Sequence, residues 1–490
     1  MTAAGSWSSP TQLFIDGVFV DAEGGATFET VAPSTGEVIA AVASGSERDI
    51  DRAVSAARRA FDSGIWSRST PQDRKERLLA LADLIESNAE DLAYLDAIEA
   101  GKPIVDCEDG DLPDVVATFR WFAQAVDKVY GRVAPSGHDH LALIVREPAG
   151  VVGTVVPWNF PLATLAMKVA PALAAGNSVV VKPAELASLS ALRLAELSLE
   201  AGIPAGVLNV VPGLGGVAGR ALGLHSDVDV ISFTGSTAIG REFLRYSADS
   251  NLKKVVLELG GKSPQIVTHS VRDELDAIAE DLAAAAFWNA GQNCTAGSRI
   301  LVDNRIKAPL IDAVTRAAKA LVVGDPLDRA TTLGPMIHEA ALSKVVSAIA
   351  SATEAGARVV TGGRRLRAGD GAFLEPTIID EVTSEMAVAR DELFGPVVVI
   401  IGYDSEEEAI RIANDTPYGL AATVHSRDLD QAIRMARAIR AGTVAVNGYS
   451  EGDVTTPFGG WKRSGFGGHD NGLEAFDQYT ELKTIWITTT

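Results

Sequence analysis

The stretch VVGTVVPWNFPLATLAMKVAPALAAGNSVVVKPAELASLSALRLAELSLEAGIPAGVLNVVPG (151–213) decides the fold class. Three apolar runs in it, VVGTVVPW, NSVVVKP and GVLNVVPG, alternate with two segments that are typical of amphipathic helices. Continuous apolar strands between such helices indicate a parallel sheet that is covered on both faces. ISFTG (231–235) and KVVLELGG (254–261) continue the alternation, so the sequence predicts an α/β domain.

The rest of the chain extends this pattern in both directions. Residues 47–130 show apolar residues at helical spacing, and LALIVREPAG (141–150) is typical of a strand or a hairpin arm. Downstream, a second αβ series runs through PVVVIIGY (396–403) to TVAVNGY (443–449). The final run, YTELKTIWITTT (479–490), should pair with another sheet or subunit, because an unpaired terminal strand exposes backbone N–H and C=O groups that can pair with other chains. We therefore expect two α/β domains and a small β element.

Length and composition exclude several classes of function. The chain has 490 residues, more than one compact core accommodates, and its net charge of −21 argues against binding nucleic acids or anionic membranes. No apolar run reaches the roughly 20 residues of a spanning helix, and MTAAGSWSSPTQ (1–12) lacks the features of a signal peptide. Two cysteines cannot form a disulfide framework, which suits a reducing cytoplasm. A cationic substrate is compatible with the acidic balance, although a solvated acidic surface is the commoner reason for it.

Two glycine-rich runs, LELGGKSP (257–264) and GQNCTAGSR (291–299), carry a carboxylate and a thiol, Glu258 and Cys294. Covalent thiol catalysis followed by hydrolysis requires at least a thiol and a base. Free cysteines are more often small core residues, and Glu258 could simply end a strand at the surface. The small polar neighbours of Cys294 and the apolar neighbours of Glu258 favour the functional interpretation. Partial burial would raise the pKa of Glu258 and suit it to take a proton from water.

An amide and several turns complete the candidate site. Asn159 lies between two prolines in PWNFP (157–161), either as part of a rigid turn or as a donor to an oxyanion, where one such bond is worth roughly 3 kcal/mol. No GxGxxG motif is present. GLGGVAG (213–219) and FTGSTAIG (233–240) could place N–H groups beside a phosphate, although each alone is more often a tight turn. VKPAE (181–185) offers a carboxylate that could accept from both ribose hydroxyls and would repel a 2′-phosphate.

Taken together, these runs resemble the motifs of the aldehyde dehydrogenase superfamily, and the resemblance covers nearly the whole chain. The matching runs, in the family's order, are PWNFP, VKPAE, FTGST, LELGGKSP, GQNCTAGSR, DELFGP (391–396), PFGGWKRSG (457–465) and YTELKTI (479–485). The resemblance implies a Rossmann-type NAD-binding domain over residues 1–128 and 148–260 and a catalytic domain over residues 261–465. It also implies a β element for oligomerisation over residues 129–147 and 477–490.

The same resemblance implies roles for individual residues. It makes Cys294 the nucleophile, Glu258 the general base and Asn159 the oxyanion amide, and it places Lys168 near the active site. No metal is expected. The implied cofactor contacts are Val156, Trp158, Lys182, Glu185, Gly215, Gly219, Phe233, Thr234, Gly235, Ser236, Ile239, Leu259, Glu392 and Phe394.

The implied reaction has two halves. The Cys294 thiolate attacks the aldehyde and hydride passes to the nicotinamide, after which water deprotonated by Glu258 hydrolyses the thioester. Members of the family that pass the acyl group to coenzyme A usually lack this base, so its presence favours a free acid as product. Glu185 favours NAD over NADP, although some members with a glutamate here tolerate both. The family usually forms dimers or tetramers through the C-terminal strand, so we expect a homodimer or homotetramer.

The sequence indicates the substrate less clearly than the reaction. GDVTTPFGG (452–460), FRWFAQAVDKVYG (119–131) and HLALIVREPAG (140–150) look similar to runs in bacterial γ-glutamyl-γ-aminobutyraldehyde dehydrogenases. Asp111 and Asp114 could face a channel and attract an amino group, although a solvated helix face is the commoner arrangement for such a pair. Residues 465–472 lack the pair of arginine and acidic residue that members of the family usually have in this run. The family's contacts at that run are therefore not assigned to this chain. The expected walls of the aldehyde channel are Phe160, Met167, Phe458 and Trp461.

Three other interpretations stay open. The chain could be a general aliphatic or aromatic aldehyde dehydrogenase. It could instead be a cysteine thioester hydrolase or acyltransferase, but that leaves VKPAE, FTGST and DELFGP unexplained. A catalytically silent protein on the same fold is the third, and the presence of Cys294, Glu258 and Asn159 argues against it.

Overall fold

The computed structural model describes residues 9–366 and 371–489. Most of the segment on which the signal-peptide prediction depends, residues 1–8, lies outside the described residues, as does residue 490. The helices are α1 (Glu47–Ser63), α2 (Pro71–Ser87), α3 (Ala89–Ala100), α4 (Ile104–Asp106), α5 (Leu112–Ala125), α6 (Pro161–Ala174), α7 (Leu189–Glu200), α8 (Arg220–Leu224), α9 (Thr237–Ala248), α10 (Leu275–Phe287), α11 (Lys307–Ala320), α12 (Glu339–Glu354), α13 (Ala387–Arg390), α14 (Glu406–Asn414), α15 (Leu429–Ala438) and α16 (Ala475–Tyr479).

The strands form two large sheets and three small ones. They are β1 (Leu13–Ile15), β2 (Val18–Val20), β3 (Thr27–Val31), β4 (Val38–Ala43), β5 (Arg132–Ala134), β6 (His140–Pro148), β7 (Val151–Val155), β8 (Ser178–Lys182), β9 (Leu208–Val210), β10 (Val230–Thr234), β11 (Lys254–Glu258), β12 (Pro264–Val267), β13 (Arg299–Asp303), β14 (Arg358–Thr361), β15 (Arg365–Leu366), β16 (Phe373–Leu374), β17 (Thr377–Asp380), β18 (Val397–Tyr403), β19 (Ala421–His425), β20 (Thr443–Val446), β21 (Gly465–Phe466) and β22 (Thr480–Thr488).

The first sheet has the strand order β2-β1-β9-β8-β7-β10-β11-β21, and β7 to β11 are parallel to one another. Its valine runs are buried on both faces because successive side chains of a strand point to opposite sides. Val179 and Val181 pack in one core with helices α2, α3, α5, α6 and α7, whereas Val180 packs in the other with α1, α8 and α9. The predicted α/β fold is confirmed here. The order reverses between β7 and β10, which creates the crevice where open α/β sheets bind ligands.

The second sheet has the order β14-β17-β18-β13-β12-β19-β20, with β14 antiparallel and the other neighbours parallel. Its strands divide their side chains in the same manner. Ile401 packs with helices α12, α14 and α15, and Ile400 packs with α10 and α11. The second αβ series expected from the sequence is therefore present as a covered sheet.

The chain crosses back to the first sheet near its end. Strand β21 pairs with β11, with Glu258 opposite Gly465. The terminal strand β22 then pairs with β6 over nine residue pairs, and β6 also pairs with β5. The partner that the terminal strand required is thus in its own chain, while its other edge and both of its faces are exposed. The domain boundaries expected from the family stay a prediction.

Candidate active site

A cavity of about 260 Å³ lies where the carboxyl end of β11 meets the turn after α10. It brings Cys294 and Glu258 together, and five of the six channel residues expected from the sequence line it: Phe160, Met167, Phe458, Asp111 and Asp114. Trp461 is the exception: it is exposed and its backbone N–H donates to the Gly419 carbonyl. The full lining is Gly110, Asp111, Asp114, Phe160, Ala163, Thr164, Met167, Thr234, Glu258, Leu259, Trp288, Asn293, Cys294, Glu451, Gly452, Asp453, Val454, Phe458 and Asn471.

Cys294 follows a turn with an uncommon backbone conformation. Asn289, Ala290 and Gly291 have φ of 50°, 55° and 66°, a run of left-handed residues that L side chains rarely adopt. Such strain costs of order 1–3 kcal/mol per residue and clusters at functional sites. A Cβ on Gly291 would lie 2.2 Å from the Gly395 carbonyl oxygen, so this position requires glycine twice over. Burial, and then the negative charges of Glu451, Glu392 and Glu258, raise the pKa of the Cys294 thiol well above its ordinary value.

Glu258 ends β11 as a buried carboxylate that accepts no side-chain hydrogen bond within the described residues. Burial and the neighbouring Asp470 raise the pKa of Glu258 well above its ordinary value, and the ammonium of Lys168 and the backbone N–H of Gly460 oppose them. Lys168 Nζ lies 3.0 Å from Asp470 Oδ2, and both side chains are fully buried. The sequence predicted Lys168 near the active site but not Asp470, because no contacts were assigned to residues 465–472. The acidic residue of that run was the signal that could have identified Asp470.

Asn159 lies beside the Cys294 turn rather than in the cavity lining. Its Nδ2 donates to the Gln292 carbonyl at 2.9 Å, and its own carbonyl accepts from Asn289 Nδ2 at 2.8 Å. An asparagine amide carries two N–H groups. The second one makes no hydrogen bond within the described part of the chain, and the first bonds to the residue two before Cys294.

The candidate cofactor residues lie at the carboxyl ends of the parallel strands around the crevice. Lys182 ends β8, and its Nζ lies 2.7 Å from Glu185 Oε2. Burial acts against ionisation of Glu185, but the charge of Lys182 and this hydrogen bond hold the pKa of Glu185 below its ordinary value. Ser236 caps α9 by accepting from the Ile239 N–H at 3.3 Å. The α9 N-terminus and its exposed first turn therefore face the crevice with their partial positive charge.

Two glycines of the 213–219 run test whether a dinucleotide fits. A Cβ on Gly215 or Gly219 would meet nothing within 4 Å, and neither residue has positive φ. Nothing in the chain itself therefore demands glycine at these positions, whereas a closely approaching ligand would. The residues present fit a nucleotide cofactor here.

A second group of candidate cofactor residues lies between the crevice and Cys294. Glu392 Oε1 accepts from the Gly261 N–H at 2.9 Å, and a Cβ on Gly260 would lie 2.0 Å from Glu392 Oε2. Phe394, with φ of 56°, packs edge-on against Trp158 at 5.6 Å between ring centroids. This arrangement places an acid and two aromatic rings beside the nucleophile turn.

The remaining cofactor candidates contribute mainly backbone. Val156 donates its N–H to the Lys182 carbonyl, and Gly235 donates to the Glu258 carbonyl. Phe233 turns its ring into the core against Phe243, so its side chain does not face the crevice. Thr234 and Leu259 line the cavity.

The acidic residues of the cavity divide into two groups. Asp111 is buried, and both of its oxygens lie 2.6 Å from the Nζ of the buried Lys102. Its charge is therefore compensated, which corrects the expectation that Asp111 attracts an amino group. Lys102 Nζ also lies 4.0 Å and 4.4 Å from the ring centroids of Phe160 and Trp288, so this ion pair supports the aromatic wall.

Asp114, Glu451 and Asp453 form the second group, and none has a cationic partner among residues 9–366 and 371–489. Partial burial, together with the charges of Asp111, Glu451 and Asp453, raises the pKa of Asp114 to about 6. The sequence predicted Asp114 but missed the other two, although Asp453 lies within the GDVTTPFGG run (452–460) that it singled out and Glu451 directly precedes that run. In the described residues, no group of three or more His, Cys, Asp or Glu side chains could hold a metal ion.

Comparison with known proteins agrees with this geometry. Residues 19–485 match the model of the aldehyde dehydrogenase family. The chain belongs to the aldehyde dehydrogenase family. It is 50% identical to the aminoacetaldehyde dehydrogenase of Pseudomonas aeruginosa, over 98% of this chain and 96% of that protein. It is 48% identical to the NADP/NAD-dependent aldehyde dehydrogenase PuuC of Escherichia coli, over 97% of this chain and 95% of that protein.

Solved structures give the same result. The γ-glutamyl-γ-aminobutyraldehyde dehydrogenase of Burkholderia cenocepacia superposes with a TM-score of 0.97 at 48% identity, covering 99% of this chain and 98% of that one. The indole-3-acetaldehyde dehydrogenase of P. syringae, in complex with NAD+, has a TM-score of 0.96 at 48% identity, covering 99% and 97%. The protein is therefore an enzyme that oxidises an aldehyde with NAD as cofactor. This result sets aside the thioester hydrolase and the silent fold.

Proposed function

We propose that this enzyme oxidises an aminoaldehyde to the free acid through a thioester on Cys294. The observation that carries the mechanism is that Cys294 and the buried, unpaired Glu258 share one cavity beside the crevice of the first sheet. The thiolate attacks the aldehyde carbon, and the resulting oxyanion accepts from the second Asn159 N–H and the Cys294 N–H. When bound, NAD accepts the hydride that leaves this carbon.

Glu258 then releases the product. Its carboxylate takes a proton from a water molecule, whose oxygen attacks the thioester carbonyl, and the carbon–sulfur bond breaks to leave a carboxylic acid and the thiol. A raised pKa makes Glu258 a stronger base once it is ionised. Lys168 and Asp470, packed behind Glu258, set the charge that this carboxylate experiences.

Two variants test the two halves. Cys294→Ser should abolish NADH formation while NAD still binds, and full oxidation rates in that variant would refute the role of the thiol. Glu258→Gln should give a burst of NADH, about one equivalent per site, followed by slow turnover, because only the second half needs the base. Loss of the burst would assign Glu258 to an earlier step.

The uncompensated carboxylates support the aminoaldehyde. Asp114, Glu451 and Asp453 line the same cavity as Cys294, and a protonated amine is the natural partner for them. Two similar proteins are named for amino-group-bearing aldehydes. Because an indole-3-acetaldehyde dehydrogenase is as similar, sequence identity alone does not choose the substrate. The aromatic walls around Phe160 and Trp288 make a neutral aromatic aldehyde the second candidate.

The test compares 3-aminopropanal with butanal, which has the same shape but no charge. We expect kcat/KM to favour the amine about tenfold, the value of one charge-assisted hydrogen bond. Asp114→Asn should reduce this preference, while Asp109→Asn, the same change on an exposed residue outside the cavity, should leave it unchanged. Equal kcat/KM values for the two aldehydes would refute the aminoaldehyde.

The family features also support finer assignments. We infer a preference for NAD over NADP, since Glu185, a carboxylate just beyond the carboxyl end of β8, would accept from ribose hydroxyls and repel a 2′-phosphate. We infer a homodimer or homotetramer, because β22 and β20 each leave an edge unpaired by the described strands and β22 exposes apolar side chains. A cytoplasmic location fits a catalytic thiol that must stay reduced. Within the described residues, every helix is too short or too polar to cross a membrane.

A further inference from the structure

One carboxylate holds both chain neighbours of the nucleophile. Asn293 Nδ2 donates to Glu451 Oε1 at 3.0 Å, and the Thr295 hydroxyl contacts the same oxygen. The Tyr449 hydroxyl also donates to Glu451 Oε1, at 2.5 Å, and lies 2.6 Å from Thr295 Oγ1. Glu451 and Tyr449 belong to the loop after β20, whereas Cys294 follows α10, so these bonds fasten the nucleophile turn to a distant segment of the chain.

The other oxygen of Glu451 is differently placed. Every hydrogen bond that Glu451 accepts within the described residues ends on Oε1, which leaves Oε2 without one. Glu451 is half-buried and lines the cavity together with Cys294. Its carboxylate therefore bonds to the nucleophile turn through Oε1, while Oε2 accepts no hydrogen bond in the described part of the chain and belongs to a residue that lines the cavity.

This position gives Glu451 an electrostatic effect on the thiol. After burial, Glu451 is the largest of the charges that raise the pKa of Cys294. A thiolate is the reactive form of cysteine, and a nearby negative charge disfavours it. The other charged or titratable groups around the site are Glu392 after α13, Glu258 on β11, Lys168 on α6, Asp470 after β21, Lys102 with Asp111, Asp114 on α5, Asp453 after β20, and Tyr449.

We propose that Glu451 positions the Cys294 turn and makes formation of the Cys294 thiolate depend on a cation in the cavity. The coupling rests on the proposed aminoaldehyde substrate, whose ammonium group would supply that cation. An ammonium beside Oε2 compensates the charge that opposes ionisation, so the thiol releases its proton to solvent once a cationic substrate has entered. A neutral aldehyde leaves the carboxylate uncompensated and the thiol mostly protonated. Glu451 would thus favour amine substrates by activation of the nucleophile as well as by binding.

Alkylation by iodoacetamide tests this without any aldehyde. The rate of modification of Cys294 is measured against pH on the NAD-saturated enzyme, with the modified residue identified by mass spectrometry to separate it from the buried Cys107. Propylammonium is the probe cation, and propanol at equal ionic strength is its neutral control. Near neutral pH we expect propylammonium to accelerate alkylation about threefold and propanol to have no effect, because the rate follows the thiolate fraction.

Variants then locate the effect. Glu451→Gln should move the alkylation profile to lower pH and abolish the response to propylammonium, since the amide keeps an oxygen for the turn but carries no charge. Asp109→Asn, outside the cavity, should behave like the wild type. A Glu451→Gln profile that matches the wild type and still responds to propylammonium would overturn the proposal. If that variant does not fold, an absent propylammonium response in the wild type would overturn it equally.

The two proposals fail separately. Equal kcat/KM for 3-aminopropanal and butanal, with an intact alkylation response, would remove the aminoaldehyde but keep the coupling between Glu451 and Cys294. A preference for 3-aminopropanal with no alkylation response would keep the substrate and remove the coupling.

Discussion

At the residue scale, the functional chemistry depends on how each charge is compensated. Glu258 is buried without a side-chain hydrogen-bond partner in the described part of the chain, and its ionisation responds to Asp470 and Lys168 in opposite directions. Hydrolysis of the thioester needs the ionised form. The rate of that step should therefore rise with pH as Glu258 loses its proton, and it should be lost as pH falls through the raised pKa.

Removing either partner of the buried pair should move this pH profile. Asp470→Asn removes the charge that raises the pKa of Glu258, so the rising limb of the thioester hydrolysis rate should move to lower pH. Lys168→Met removes the opposing charge and should move the limb to higher pH. The measurement is the steady-state rate after the NADH burst across a pH series. Shifts in the same direction for both variants would show that the pair acts through packing rather than charge.

Asp111 belongs to the residues that stabilise the molecule. Asp111→Asn leaves the fully buried Lys102 without its counter-ion, and breaking a buried ion pair typically costs about 3–5 kcal/mol. We expect a large loss in the free energy of unfolding, measured by urea denaturation. Asp109→Asn, two residues away, exposed and outside the cavity lining, is the control and should change stability by less than about 0.5 kcal/mol. Equal stability of the two variants would contradict the role assigned to the Lys102–Asp111 pair.

At the element scale, the sequence predicted strands and helices well because each leaves a periodic pattern. The VVV run of β8 is apolar on both faces because helices pack on both sides of it. A continuous apolar run within one short segment is therefore enough to predict that the strand is covered on both faces. The turn before Cys294 is different. Gln292, which follows its three left-handed residues, donates to the Pro335 carbonyl and accepts from the Ile337 N–H, and the backbone of Gly291 packs closely against Gly395. These partners lie far along the chain. No local pattern could predict this conformation.

The acidic cavity shows the same division. Asp111 and Asp114 looked equivalent at i and i+3, because spacing on a helix tells which face a residue shares but not what packs against it. Lys102 compensates one and leaves the other free. Glu451, contributed by the loop after β20, enters the site only through the packing of the second sheet beside the first.

At the scale of the whole molecule, the three-stranded sheet carries an exposed apolar surface. Trp486 on β22 is 58% exposed. Leu482, four residues earlier and therefore on the same face of the strand, is equally exposed. Aromatic residues on an unpaired edge are typical of subunit interfaces. Trp486→Glu should therefore shift the assembly toward monomer, as measured by light scattering after size-exclusion chromatography. Ile65→Glu, the same change at an exposed apolar residue outside this sheet, is the control, and an unchanged mass for Trp486→Glu would place the interface elsewhere.

The sequence by itself determined the covered parallel sheets, the family, the thiol and base, and the glycine turns of the cofactor crevice. These features depend on the period of apolar residues and on motifs that lie within a few residues of one another. Only the tertiary structure decided which charges are compensated, that Asp470 stands behind Glu258, and that Glu451 fastens the Cys294 turn. The Lys168–Asp470 and Asn293–Glu451 contacts join segments more than a hundred residues apart, and Lys102 meets Asp111 only through the packing of the segment between them. The electrostatic effect of all three depends on burial and distance, which a linear pattern does not contain.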